Sequence, residues 1–171
     1  MKQRKKMQRY RSLWSLGFKT HFKRQVVLVA NITHGGRFNM QLCLENFLIH
    51  WQELYSEKTD KFMEKQCRMI FLTYLKPILN GRGFYTIESA LTDDRRMDLL
   101  VIYNGERFVL ELKIWKGQLY NEKGVKQLRG YLDKLGEKRG YLLTFDFRKT
   151  AQEFQPQWRV ENEKEIFEVR V

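Results

Sequence analysis

At 171 residues, with 43% hydrophobic and 14% aromatic content, the chain has room for one domain with a real core and is far from disordered composition. Its formal charge of +12 points to a polyanionic partner, yet residues 1–37 hold ten Lys or Arg and no acid, leaving 22 basic against 20 acidic residues beyond. Two cysteines and three scattered histidines exclude a disulfide framework or a paired-ligand zinc site, no P-loop pattern occurs, and no apolar run is long enough for a membrane span.

Residues 1–37 read as a basic arm of unassigned structure, and its interrupting charges argue against a cleaved secretory signal. Residues 38–58 carry a helix, with Asn39 as N-cap and Leu44, Phe47, Leu48, Trp51, Leu54 and Tyr55 at helical spacing. The main domain, 59–171, opens on a second helix capped by Thr59 or Asp60, with Met63, Cys67, Ile70, Phe71, Tyr74 and Ile78 on one stripe. Pro77 and Asn80-Gly81 mark its end.

The period then changes. Phe84–Ser89, Met97–Tyr103 and Phe108–Ile114 read as strands, the last two apolar on both faces as in a sheet covered on both sides. Asn104-Gly105 is a strong two-residue hairpin signal. Val125, Leu128, Leu132 and Leu135 stripe a third helix ended by Gly136, Gly140–Phe147 is a further strand, and Phe154–Val171 is a closing hairpin turning near Glu161–Glu165. The order predicts a mixed α/β domain. Cys43 and Cys67 fall on apolar helix faces and read as structural thiols of a reducing cytoplasm.

A two-residue loop at Asn104-Gly105 opposes Tyr103 to Glu106, and the same register opposes Asp98 to Glu111. Period two puts Lys113 on the face of Glu111, while Leu112 points away. Two carboxylates and an ammonium are thereby gathered on one patch. A hard divalent cation offsets the repulsion of the acids, and a lysine beside it can hold an attacking water or stabilise developing negative charge. On spacing alone, a surface salt bridge among the three fits equally well.

The segments Arg96-Met97-Asp98-Leu99-Leu100, Glu111-Leu112-Lys113 and Gln127-Leu128-Arg129-Gly130-Tyr131 together resemble the PD-(D/E)XK nuclease superfamily, in particular its RecB-like branch. The resemblance spans about residues 60–150. It implies a restriction-endonuclease-like αβββαβ core with a mixed central sheet, plus the N-terminal helix and C-terminal hairpin read above. It also implies Mg²⁺ or Mn²⁺ held by Asp98, Glu111 and the Leu112 carbonyl, with Lys113 as catalytic lysine and Glu64 as an additional acid from the preceding helix. Gln127 and Tyr131, which by spacing alone could equally border the core, are then expected to orient the site and touch nucleic acid, and Arg96 and Lys116 to meet phosphates, with Arg95 and Lys126 on the same rim. Glu88 is a reserve ligand; Trp115 and Tyr120 offer rings for stacking on bases, burial against the sheet being the other fate for Trp115.

The wider run from Gly35-Gly36-Arg37-Phe38 through Tyr74-Leu75-Lys76-Pro77 to Leu110–Gly117 is similar to nuclease-like domains at the C-terminus of predicted AAA-ATPase proteins. This chain lacks an ATPase portion, so an AAA-type ATPase becomes an expected partner. The functional expectation is a cytoplasmic, metal-dependent nuclease acting on DNA. The alternative is a catalytically inactive nucleic-acid-binding or interaction module left from an ATPase-linked protein.

Overall fold

The computed structural model describes residues 29–55, 64–91, 95–148 and 154–171, without the side chains of residues 88–97. The chain divides into two compact units, Met1–Phe38 and Asn39–Val171. Of the first, the described part is a helical end, closed by a bond of 2.8 Å from the Thr33 hydroxyl to the Val29 carbonyl, and a 3-10 turn at His34–Gly36.

The second unit is α/β. Helices α1 (Met40–Tyr55) and α2 (Glu64–Leu79) precede strands β1 (Gly83–Leu91), β2 (Arg95–Tyr103) and β3 (Glu106–Ile114). Helix α3 (Gln118–Leu135), β4 (Arg139–Phe145), β5 (Gln157–Glu161) and β6 (Lys164–Arg170) follow. One mixed sheet has the order β1-β2-β3-β4-β6-β5. Its first three strands are an antiparallel meander, β3, β4 and β6 run parallel, and β5 returns antiparallel at the far edge.

Local chemistry accounts for the boundaries. The Asn39 side chain accepts the Leu42 N–H at 2.9 Å and caps α1. The second helix is present, while its expected caps Thr59 and Asp60, and Met63, lie outside the described residues. Pro77 falls inside α2, and the helix ends two residues later at Leu79. Helix α3 starts well before its apolar stripe, at Gln118, and ends at Gly136 (φ 68°), with Glu137 N–H bonding back to the Leu132 carbonyl at 2.9 Å. Strand β4 stops at Phe145, two residues short of the expected end. The closing hairpin turns at Asn162-Glu163 (φ 48° and 65°), and β6 inserts beside β4.

Both faces of the sheet are covered, which explains strands apolar on both sides. On one face Val109, Leu142 and Ile166 pack against Val125, Leu128, Tyr131 and Leu132 of α3. On the other, Phe145 meets Trp51 and Phe47 of α1, with ring centroids 5.0 and 6.3 Å apart, and Phe47 meets Phe71 of α2 at 5.0 Å. Cys43 and Cys67 are free and buried in this second layer, as structural thiols, and burial raises both pKa values. Among the described residues, no helix is long and apolar enough to cross a membrane.

The β2–β3 hairpin sets the register of everything around Asp98 and Glu111. Asn104 and Gly105 both take positive φ (47° and 84°), as a primed two-residue turn requires, and Tyr103 pairs with Glu106. A Cβ at Gly105 would meet no atom within 4 Å, so only backbone strain opposes a side chain there. Gly105→Ala should therefore cost about 1–2 kcal/mol and lower the melting temperature by a few degrees. An unchanged melting curve would show that the turn does not hold the register.

Candidate active site

The β2–β3 ladder runs from Tyr103↔Glu106 to Leu99↔Leu110. Carrying its alternation one residue further places Asp98 and Glu111 together on the face opposite Leu99 and Leu110. At this point a side chain takes over from the backbone. The Asp98 carboxylate accepts the Leu112 N–H at 3.0 Å, the bond a continued ladder would give to the Met97 carbonyl. A strand residue directs its N–H and C=O to the same side, so the Leu112 carbonyl also faces this gap.

Glu111 is 1% exposed, on the face that α3 covers, paired across the sheet with Leu142. Its Oε1 accepts from the Lys113 ammonium at 2.7 Å. Its Oε2 is buried without a hydrogen-bond partner among the described residues. Burial, then the nearby charge of Asp98, and lastly that of Glu64, push the Glu111 pKa up from 4.5 to about 8 against the opposing pull of Lys113. For Lys113, burial works against the charge, but Glu111, Asp98 and Glu64 outweigh it and hold the ammonium above its ordinary range. The ion pair that the spacing also allowed does form between Lys113 and Glu111, in the interior rather than on the surface.

Two residues of this site carried no strong sequence signal. Arg68 stands one turn from Glu64 on α2, a spacing that suggests a helix-surface pair, yet its Nη1 lies 3.8 Å from Asp98 Oδ1. Gly124 sits mid-helix in α3, where a Cβ would come within 3.1 Å of Lys113 Cγ. Its missing side chain lets the helix backbone lie on the lysine stem and seal it. Beside it, the buried Thr144 hydroxyl bonds Asn121 of α3 at 3.2 Å. A glycine inside a helical stripe was the one available clue to this close approach.

The other expected site residues are placed unevenly. Glu64 opens α2, close enough for its charge to act on Glu111 and Lys113. Among the described residues, no three His, Cys, Asp or Glu stand close enough together to hold an ion in this arrangement, so Glu64 is not brought into a ligand cluster. Tyr131 is 1% exposed inside the α3 core cluster, because its position continues the apolar stripe, which is the core reading of that residue. Gln127, on the same helix, is exposed. Lys116 is exposed and lies over the Tyr120 ring at 5.1 Å. Trp115 is half-buried at the end of β3 against two arginines. The side chains of Arg95, Arg96 and Glu88 lie outside the described residues.

These donors fit a hard divalent ion. Among the described residues Glu111 Oε2 lacks a partner, Asp98 adds a second carboxylate, and the Leu112 carbonyl faces the same gap. Mg²⁺ is commonly held by one or two carboxylates, with water and phosphate oxygens completing its shell. Soft ligands are missing from the set: Cys67 is buried with its thiol pKa raised to about 12, a poor source of thiolate. No family model, curated protein or solved structure matches the chain.

The raised Glu111 pKa has a measurable consequence for the metal-free protein. Between pH 4.5 and about 8, the unfolded chain gives up a proton that the folded chain keeps at Glu111. Folding stability should therefore fall as pH rises across that window, by at most about 1.4 kcal/mol per pH unit, and level off above it. Glu111→Gln, which cannot ionise, should flatten this slope in denaturant unfolding with chelator present. Equal slopes for both proteins would mean that Glu111 ionises normally.

Proposed function

We propose that the chain is a divalent-metal-dependent phosphodiesterase acting on nucleic acid, with DNA as the substrate class. The observation that carries this reading is the sealed Glu111 carboxylate, with one oxygen bound to Lys113 and the other unbonded among the described residues, beside a second carboxylate on Asp98. A buried acid beside a half-buried one is unfavourable unless positive charge is shared between them. The PD-(D/E)XK resemblance of Asp98, Glu111 and Lys113 supports the same reading, and with it a RecB-like restriction-endonuclease core.

Asp98, Glu111 and the Leu112 carbonyl would hold the ion, which when bound acidifies water and neutralises charge on a phosphate. Asp98 has its orientation fixed from two sides, by the Leu112 N–H and by Arg68. Glu111 is fixed by strand register and by Lys113. Lys113 is confined between Glu111 and the α3 backbone at Gly124, so its ammonium is held in place rather than free to swing. An ordered cation there can orient the attacking water and stabilise the charge that develops on the phosphate oxygens. Gln127 and Lys116, exposed on and just before α3, are suited to backbone contact.

Metal binding and chemistry separate by residue. Asp98→Asn should lose both ion binding and DNA cleavage. Lys113→Met should keep or strengthen ion binding, since it removes a competing positive charge, while cleavage falls about 100- to 1000-fold. Cleavage of linear and circular DNA in Mg²⁺ and Mn²⁺ measures the loss. A Lys113→Met protein as fast as its parent would refute the nuclease reading and leave a non-catalytic binding module as the better description.

A further inference from the structure

Pairing across the parallel strands aligns Lys113 of β3, Thr144 of β4 and Arg170 of β6 in one row. Paired residues share a face, so Arg170 lies on the face of Lys113, two strand spacings or roughly 10 Å away. The row sits at the carboxyl ends of parallel strands, where open α/β sheets receive their ligands. Trp115, two residues beyond Lys113, extends the same face.

The Arg170 guanidinium is held there by rings. Its Cζ lies 3.6 Å from the Trp115 ring centroid and 4.5 Å from that of Phe154. At stacking distance a ring covers a face of the guanidinium and leaves the N–H donors along its edge unspent. No carboxylate among the described residues forms an ion pair with it. The nearest acid in charge terms, Asp146, is already bound by Arg148 through contacts of 2.7, 2.9 and 3.2 Å. Arg148 lies 5.0 Å from the same indole. Burial works against the Arg170 charge, and Arg148 adds repulsion. A guanidinium kept charged, half-buried and oriented, with its edge uncommitted among the described residues, suits a bidentate oxyanion.

We propose that Arg170, seated on Trp115 and Phe154, grips a backbone phosphate of the nucleic-acid strand next to the phosphodiester presented to Lys113. This rests on the nuclease reading and adds to it a course for the strand, past the carboxyl ends of β3 and β6 rather than over the sheet face, where Thr144 is buried beneath Asn121 of α3. Trp115 then serves as the platform for an arginine, and the bases are left to solvent or to other surfaces. Arg170 is a positioning residue: it acts on where the strand lies, and Lys113 acts on the reacting phosphate.

Binding of a short fluorescein-labelled single-stranded DNA in Ca²⁺, measured across salt concentrations, tests this. Arg170→Gln should weaken binding about 10-fold and reduce the salt slope by about one, the signature of one lost phosphate contact. In Mg²⁺ its KM should rise while kcat stays near that of the parent. Arg170→Lys keeps the charge, so its slope should be unchanged while Kd rises through loss of the bidentate edge. If Arg170→Gln does not fold, this Kd rise in Arg170→Lys is the deciding reading. Parental Kd and slope in the variants, with the parent cleaving DNA, overturn the role of Arg170 and leave the nuclease reading intact. A parent that neither binds nor cleaves DNA overturns both.

Discussion

A carboxylate oxygen sealed beneath a helix, with no donor to meet it, is an expensive thing for a fold to keep. Among the described residues, Glu111 is held that way by the middle strand of the sheet and by the helix laid over it. Its second oxygen faces the Lys113 ammonium, and a neighbouring acid, Asp98, raises the cost further. Replacing such a cluster by apolar side chains would usually stabilise a domain of this size. The surrounding structure instead protects it: Gly124 clears room for the lysine stem, and Arg68 and the Leu112 N–H steady Asp98. The same strand positions that carry the charges border Val109 and Leu142, so site and core are built on one register.

That register explains why the parts lie where they do. The primed turn at Asn104-Gly105 sets β2 against β3, and β3 in turn pairs with β4 in parallel. Parallel pairing brings Lys113, Thr144 and Arg170 into line and leaves the ends of three strands on one side. Helix α3 begins just beyond β3, so its first turns cover the charged end of that strand while its later turns pack on apolar side chains. Further across the sheet, Arg159 joins Glu122, Glu161 and Glu168, tying the start of α3, the part that covers the site, to the edge strands.

Much of this was legible from the sequence because it depends on short-range rules. The hairpin is written in two residues, and period two then carries Asp98, Glu111 and Lys113 to one face. The helix ends at Gly136 and the cap at Asn39 are equally local. What was not legible depends on contacts between distant segments. Arg68 pairs with Asp98 only because α2 packs near β2, and helical spacing alone pointed to Glu64 instead. Tyr131 lies at a position where the apolar stripe and the expected nucleic-acid contact both had a claim, and tertiary packing resolved it toward the core. The seat of Arg170 joins the end of β6 to the end of β3 across β4, and nothing in the local pattern of either strand announces it.

The claim on which the rest depends is that Glu111 gives up a proton to take an ion. Titration calorimetry with Mg²⁺ near neutral pH, repeated in two buffers of different ionisation enthalpy, measures that exchange directly. A carboxyl whose pKa is raised to about 8 must release its proton as the ion binds, so the apparent enthalpy should differ between buffers. Glu111→Gln should abolish the difference together with most of the binding. Absence of Mg²⁺ binding, or binding whose enthalpy is the same in both buffers, would contradict it.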